Sequence, residues 1–420
     1  MKPKIITTLQ GYTLPDLLRD SAAGVTVAMV ALPLSLAIAI ASGAPPETGL
    51  ITAAVGGLLI SLLGGSRVQI GGPTGAFIVV VYAVIQNHGL DGLLIATLMA
   101  GIILVIAGYL RVGKLVAYVP EAVINGFTIG IALLIATSQL KDFLGIDLAE
   151  VPAGFFDTTA ALWNARGTVS PVSILLALGA MVFIVVARRL SPRIPGLIVA
   201  MILASLLVWA LTLDIDTIAS RFGDIESRLP MPGLPGISLG RVIELIPSAL
   251  TIAFLAGVES LLSAIVADRM IGGSHRSGAE LAAQGFANIG SALFGGLPAT
   301  GAIARTATNV QAGGRTPVAG IVHALTILIV MLLAAPLIGY LAMPALAALL
   351  MLTAWNMSEP HKWRGYLEGR KSDLFLVILT FALTVAVDLT VAIAVGVVTG
   401  LVLRLRRRDI EPEDWTPPKR

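Results

Sequence analysis

Gly71-Gly72-Pro73-Thr74-Gly75-Ala76 and Gly296-Leu297-Pro298-Ala299-Thr300-Gly301-Ala302 share Thr-Gly-Ala and lie about half a chain apart, each interrupting sequence apolar enough for a bilayer. Backbone outside a helix is costly in hydrocarbon, so Gly/Pro breaks at corresponding positions of two halves point to a ligand site between discontinuous helices. Around these breaks, apolar runs of roughly 20 residues recur, where a membrane barrel would show alternating segments of about ten. Of the 420 residues 56% are hydrophobic and 13% charged, and the mean hydropathy is +0.91. That composition excludes a soluble domain and sets the fold class as an all-α polytopic membrane protein.

Division at polar, Gly and Pro interruptions predicts spans near 22–41, 46–64, 74–87, 92–110, 121–140, 171–188 and 194–213, then 244–268, 277–295, 302–311, 316–340, 343–356, 372–387 and 389–404. The third and tenth are short, as half-helices would be. Seven spans per half make the repeats inverted, so both half-helices approach the midplane from opposite faces. The expected organisation is an N-terminus at 1–21, a first repeat at 22–213, a linker at 214–243, a second repeat at 244–404 and a tail at 405–420. Prolines 230, 232 and 235 favour extended backbone in the linker.

Charge sets the orientation. One set of loops holds Arg111, Lys114, Arg188, Arg189, Arg193, Arg269, Arg276, Arg315, Lys362, Arg364, Arg370 and Lys371, with Arg404 and Arg406 to Arg408 at the tail. The opposite loops hold Asp142, Asp147, Glu150, Asp157, Asp214, Asp216, Asp224 and Glu226. The Lys/Arg bias puts both termini in the cytoplasm of a bacterial-type inner membrane, with the linker outside. The net charge of +3 sits in short clusters between spans, so membrane topology explains it and nucleic acid is not an expected partner. Cysteine is absent and the four histidines show no ligand spacing, so no cofactor and no transition-metal site is expected. No P-loop, nucleophile elbow or His-Glu-x-x-His is present, which leaves ion gradients to drive the protein and gives no support to an enzyme.

The short helices would start at Thr74 and near Ala302, aiming two positive dipole ends at one cavity, an arrangement that favours an anion. Glycines 71, 72, 75, 296 and 301 permit close approach of backbone, or alternatively tight helix crossing, and Thr74 and Thr300 can cap the helices or donate to the ligand. Arg305, in the first turn of the tenth span, adds positive potential or pairs structurally. Glu259 is the clearest acid inside a span, and Ser263, four residues on, shares its helix face. Together they could ligate Na⁺; the carboxyl could exchange a proton, or Glu259 could pair with Arg305. Glu121, Glu244, Glu280 and Asp388 lie near span ends, where solvated or capping roles are expected, and Asn125 suits an interhelical hydrogen bond.

Several motifs in order resemble the SulP-type anion transporters, the group that includes the solute carrier 26 proteins. They are Val30-Ala31-Leu32-Pro33-Leu34-Ser35-Leu36-Ala37, Gln69-Ile70-Gly71-Gly72-Pro73-Thr74, Asn125-Gly126-Phe127-Thr128-Ile129-Gly130, Thr300-Gly301-Ala302-Ile303-Ala304-Arg305-Thr306 and Asp388-Leu389-Thr390-Val391. The resemblance implies a core domain from spans 1–4 and 8–11, a gate domain from spans 5–7 and 12–14, elevator motion of the core and a homodimer. It places substrate among Pro33, Ser35, Thr74, Gly75, Ala76, Thr300, Gly301, Ala302, Ile303, Ala304 and Arg305, with Glu259, Ser263, Thr74 and Thr300 serving the coupling ion. In cyanobacterial Na⁺-dependent members an Asp and a Thr occupy the positions matched by Glu259 and Ser263. The cytoplasmic STAS domain usual in the family has no counterpart in the short tail.

The expected function is secondary active transport of a small inorganic anion, bicarbonate or sulfate, by symport with Na⁺ or H⁺. A dicarboxylate/H⁺ symporter, a nucleobase permease of the same architecture and an anion channel are the alternatives.

Overall fold

The computed structural model describes residues 2–113, 118–148, 151, 152, 154–190 and 195–407. Lys114, Glu150, Arg193, Arg408 and the tail from 408 onward lie outside the described residues, as do the side chains of Arg406 and Arg407. The helices are α1 (Lys4–Thr8), α2 (Leu14–Ala41), α3 (Pro46–Leu63), α4 (Ile78–Tyr109), α5 (Glu121–Leu144), α6 (Phe155–Asn164), α7 (Pro171–Leu190), α8 (Gly196–Ala210) and α9 (Ile218–Phe222). They continue with α10 (Leu239–Ile271), α11 (Ser277–Leu293), α12 (Ile303–Gln311), α13 (Pro317–Ile338), α14 (Met343–Met357), α15 (Pro360–Glu368), α16 (Lys371–Ala386) and α17 (Leu389–Arg407).

Every predicted span has a helix. α4 contains two of them, because Gly89 at φ 71°, ψ −179° breaks it into limbs 78–88 and 90–109. This left-handed backbone is open to glycine and strained for other residues. Several boundaries move. α2 begins at Leu14 rather than 22, where the Asp16 carboxylate accepts from the Thr13 N–H and hydroxyl in the first turn. α10 begins at Leu239 rather than 244, capped by Ser238. The linker is extended around its prolines but also holds α9, and it is pinned to the start of α14 by a bridge between Thr217 and Ala342. α1, α6 and α15 are short helices between or before spans that periodicity did not reveal.

Packing divides the helices into two groups. α2, α3, α4 and α10 to α13 pack most heavily on one another, and α5, α7, α8, α14, α16 and α17 form a second group around α5. The two touch along α2, α8 and α14, with lighter contacts from α4 and α10. Both described chain ends lie on one face: Lys4 N donates to Gly64 O at the end of α3, and Arg404 donates to Tyr118 O at the start of α5. The opposite face, called the far face below, carries the ends of α2 and α5 and the helix α9.

Within the first group, packed against α3, α10 and α11, β1 (Gly71–Gly72) and β2 (Thr300–Gly301) form a two-residue antiparallel ladder, Gly71 opposite Gly301 and Gly72 opposite Thr300. This corrects the register of the sequence repeat. Thr74 caps the first short helix, whose opening turn is Gly75–Phe77, whereas Ala302, two residues beyond Thr300, caps α12. The two Thr-Gly-Ala triplets are therefore not structural counterparts. The irregular backbone is satisfied by side chains from neighbouring helices, which is what makes it tolerable at membrane depth. Asn288 brackets Ala299 with bonds to its O (2.8 Å) and from its N (3.0 Å), and Thr52 accepts from Leu297 N at 2.6 Å. Ile70 N donates to Thr306 Oγ1 at 3.1 Å, and Asn309 donates to Val68 O at 2.8 Å. Thr52 opens a π-turn, Thr52–Gly56, inside α3, a local widening that places its hydroxyl against the crossing strand.

Candidate functional site

Arg305 is the centre of the site. Its side chain is 1% exposed, and Nη2 donates to Ser35 Oγ of α2 at 3.1 Å and to Pro73 O at 3.0 Å. Nε and Nη1 have no hydrogen-bond partner among the described residues. A buried guanidinium with two unspent donors is costly unless an acceptor completes it. Gly72 makes room for it: at φ 152° a Cβ there would fall 2.3 Å from Nη1. Pro33 lies two residues before Ser35 inside α2, buried, and withholds a backbone donor from that helix.

Two helix ends face this guanidinium. Gly75 and Ala76 are buried in the first turn after Thr74, while Ile303 is half-buried and Ala304 exposed at the start of α12. First-turn N–H groups have no partner within their own helix, so both ends offer donors and partial positive charge.

Glu259 and Thr74 come together, Thr74 Oγ1 donating to Glu259 Oε2 at 2.7 Å. The carboxylate thus ties α10 to the first short helix, rather than to Arg305, for which no ion pair is present among the described residues. Ser263 departs from the expectation that it pairs with Glu259: it is fully buried and donates to Thr306 Oγ1 at 3.1 Å. Thr300 also turns away, donating to Ala256 O at 2.9 Å with no exposure. Gly301 and Ala302 contribute buried backbone, Ala302 N donating to Ile70 O at 2.9 Å. The bonds join Ser35 and Pro73 to Arg305 and Thr74 to Glu259, and assign the hydroxyls of Ser263 and Thr300 to holding the scaffold.

Sequence reasoning missed a second polar network behind the site. Glu280, expected near solvent, has no exposure, and accepts from Gly65 N (2.8 Å), Ser66 N (3.0 Å), Ser260 Oγ (3.0 Å) and Gln284 Nε2 (2.8 Å). Gln69 reaches Ser260 Oγ at 3.1 Å. Four donors make the buried carboxylate tenable without a cation. The signal was present: Glu280, Gln284, Asn288 and Ser291 fall at helical spacing on one stripe of an otherwise small and apolar helix. The other acids behave as expected. Glu121 pairs with Lys362 at 2.6 Å, Glu244 is exposed beside His88, and Asp388 accepts from Thr390 N. Asn125 bonds the Tyr366 hydroxyl across α5 and α15. Lys362, held also by Glu359, keeps its proton more firmly than an ordinary lysine, the two carboxylates outweighing its partial burial.

Broken helices facing a buried cation inside a polytopic bundle define the class as a membrane transporter. The chain belongs to the sulfate permease family, whose profile matches residues 17–380. It is 44% identical over 377 residues to the putative sulfate transporter YvdB of Bacillus subtilis (strain 168), covering 90% of this chain and 71% of that protein. It is 34% identical over 340 residues to the bicarbonate transporter BicA of Picosynechococcus sp., covering 79% of this chain but only 60% of that relative's length. The transmembrane domain of a cyanobacterial BicA superposes with a TM-score of 0.79 at 32% identity, covering 93% of this chain and 98% of that one. The family and these relatives are transporters rather than enzymes.

Proposed function

We propose that the chain moves a small inorganic anion, bicarbonate or sulfate, by secondary active transport coupled to Na⁺ or H⁺. The observation that carries this reading is the Arg305 guanidinium, buried with two unpartnered donors between two helix N-termini. An oxyanion would accept from Nε, from Nη1 and from first-turn N–H groups at once, converting an unfavourable vacancy of acceptors into charge-assisted bonds. The names of the relatives supply the two candidate anions.

Glu259 is the proposed coupling group. Because it accepts from the Thr74 hydroxyl, protonation or Na⁺ binding at the carboxylate would alter the tie between α10 and the start of the short helix that holds the anion. The division into two packed groups supports elevator-type motion of inverted repeats, with the site carried on the first group. The clustering of Arg111, Arg276 and Arg315 in loops, with Arg364 in α15 and Lys371 at the start of α16, supports cytoplasmic termini in a bacterial plasma membrane. Homodimerisation belongs to the same proposal and rests on the family resemblance.

The test is uptake of labelled bicarbonate and labelled sulfate into proteoliposomes, with an inward Na⁺ gradient, with choline replacing Na⁺, and with a proton gradient at fixed voltage. The expected result is gradient-dependent uptake of one anion that is lost in Arg305→Ala. Absence of uptake of both anions under every gradient, or unchanged uptake in the variant, overturns the reading.

A further inference from the structure

A second cavity, of about 240 Å³, opens at the far face and takes no part in the Arg305 site. Among its lining residues are Ile78 and Gln86 of α4, Ile135, Ser138 and Lys141 of α5, and Arg221 of α9. α4 belongs to the first packed group and α5 to the second, so the cavity lies on the seam between them. It is in line with the anion site. Ile78 follows Gly75 by one turn of the short helix, and a Cβ placed on Gly75 would meet Met357 Sδ at 2.8 Å and Ile135 Cδ1 at 3.8 Å. The cavity's Ile78 and Ile135 thus lie beside the start of the short helix at Gly75.

The charges in the cavity are unequal. Arg221 is engaged by Asp142 at 2.7 Å and Asp216 at 2.8 Å, so these carboxylates already have a cation. Asp147 is exposed. Lys141 is partly buried and has no hydrogen bond or ion pair among the described residues. Asp142, Asp216 and Asp147 act on it electrostatically without bonding it, and the first two are bound to Arg221, so this partly desolvated ammonium keeps its donors open to an anion. The cavity has room for an oxyanion with several of its waters, each of which takes about 30 Å³ in the liquid. Gln86 and Ser138 supply polar groups around it.

We propose that this cavity is an outer station for the transported oxyanion, with Lys141 as its binding cation and the Gly75–Ile135–Met357 contact as the partition that must part before the anion reaches Arg305. The station rests on the anion-transport reading, and it makes transport asymmetric. Lys141 acts only on anion arriving from the far face, whereas Arg305 acts on both directions.

The chain has no cysteine, which permits a test that does not depend on transport. Ser138→Cys, reconstituted as the full chain, is titrated from the far face with two membrane-impermeant thiol reagents of similar size, one carrying a sulfonate and one a quaternary ammonium. The station predicts that the sulfonate reagent reacts faster by about tenfold, the effect of one partly screened charge at short range. It also predicts that sulfate slows the reaction and that Lys141→Gln in the same background abolishes both effects. Equal rates for the two reagents, or no protection by sulfate, overturn the proposal even if transport is observed. In proteoliposomes of defined orientation, Lys141→Gln should raise KM about tenfold for anion at the far face and leave KM at the other face unchanged, with Lys141→Arg restoring it. An equal change on both faces would make Lys141 structural. Should the wild type transport neither anion, the thiol rates still decide the station, so the two proposals fail separately.

Discussion

The two broken segments look alike as sequence and divide their labour as structure. Around Gly71 to Ala76 the Thr74 hydroxyl donates to Glu259, and Thr74 stands at the N-cap position of a helix that opens with a tight turn. Around Gly296 to Arg305 the Thr300 hydroxyl is buried on a backbone carbonyl, the cap falls to Ala302, and the charge is supplied by Arg305. In the proposed reading, the first segment joins anion site to coupling group, and the second supplies the anion's cation. Near-symmetric backbone can carry asymmetric chemistry because each side chain meets a different neighbour: α10 approaches Thr74 with a carboxylate, but meets Thr300 with only a carbonyl.

The largest expected effect breaks the comparison at its charged side. Arg305→Ala should lower anion affinity by a hundredfold or more, about 2.8 kcal/mol, while Arg305→Lys should recover only part of it because an ammonium lacks the planar fork. Anion titration in detergent reads this directly; equal affinity in all three proteins would remove Arg305 from the site.

Next comes the backbone. A Cβ on Gly301 would fall 1.5 Å from Gln69 Nε2, inside the ladder, whereas one on Gly75 meets the flexible end of Met357. Gly301→Ala should cost about 1–3 kcal/mol as an overpacked site, seen as a lower melting temperature, with Gly75→Ala milder. The reverse order would show that the ladder yields more readily than the partition.

Glu259→Gln should reduce the dependence of uptake on the coupling gradient by about tenfold while leaving anion binding within a small factor of wild type. Retention of the full gradient dependence would assign coupling elsewhere. The smallest contrast sharpens the comparison most. Thr300→Val should lose about 1 kcal/mol of stability through one buried hydrogen bond with its transport rate unchanged, and Thr74→Val should melt near wild type but transport with altered ion dependence. Matching phenotypes for the two threonines would return them to equivalence.

Much of this was legible beforehand, for reasons that particular residues make plain. Apolar runs marked the long spans because hydrocarbon excludes charge over a fixed thickness. Gly and Pro breaks marked the two half-helices because few other residues release a backbone from helix. Arg305 and Glu259 stood out as lone charges in apolar surroundings. Illegible were Glu280, whose partners at Gly65 and Ser66 are remote in sequence, and the partner of Ser263, which proximity to Glu259 suggested and Thr306 claimed. The start of α2 was missed because its first two turns, Leu14 to Asp20, carry three charged residues and read as a solvated approach.

By itself the sequence determined class, span order, the breaks and the residues able to hold an anion or a coupling ion, since these depend on transfer energies and local backbone freedom. The tertiary structure decided the register of Gly72 against Thr300, the bond of the Thr74 hydroxyl to Glu259 and of the Thr300 hydroxyl to Ala256 O, and the placing of Lys141 in a cavity on the seam between the two groups. Those are matters of direction and long-range contact, and a hydroxyl or ammonium acquires its role only from the atoms that packing brings within hydrogen-bond reach.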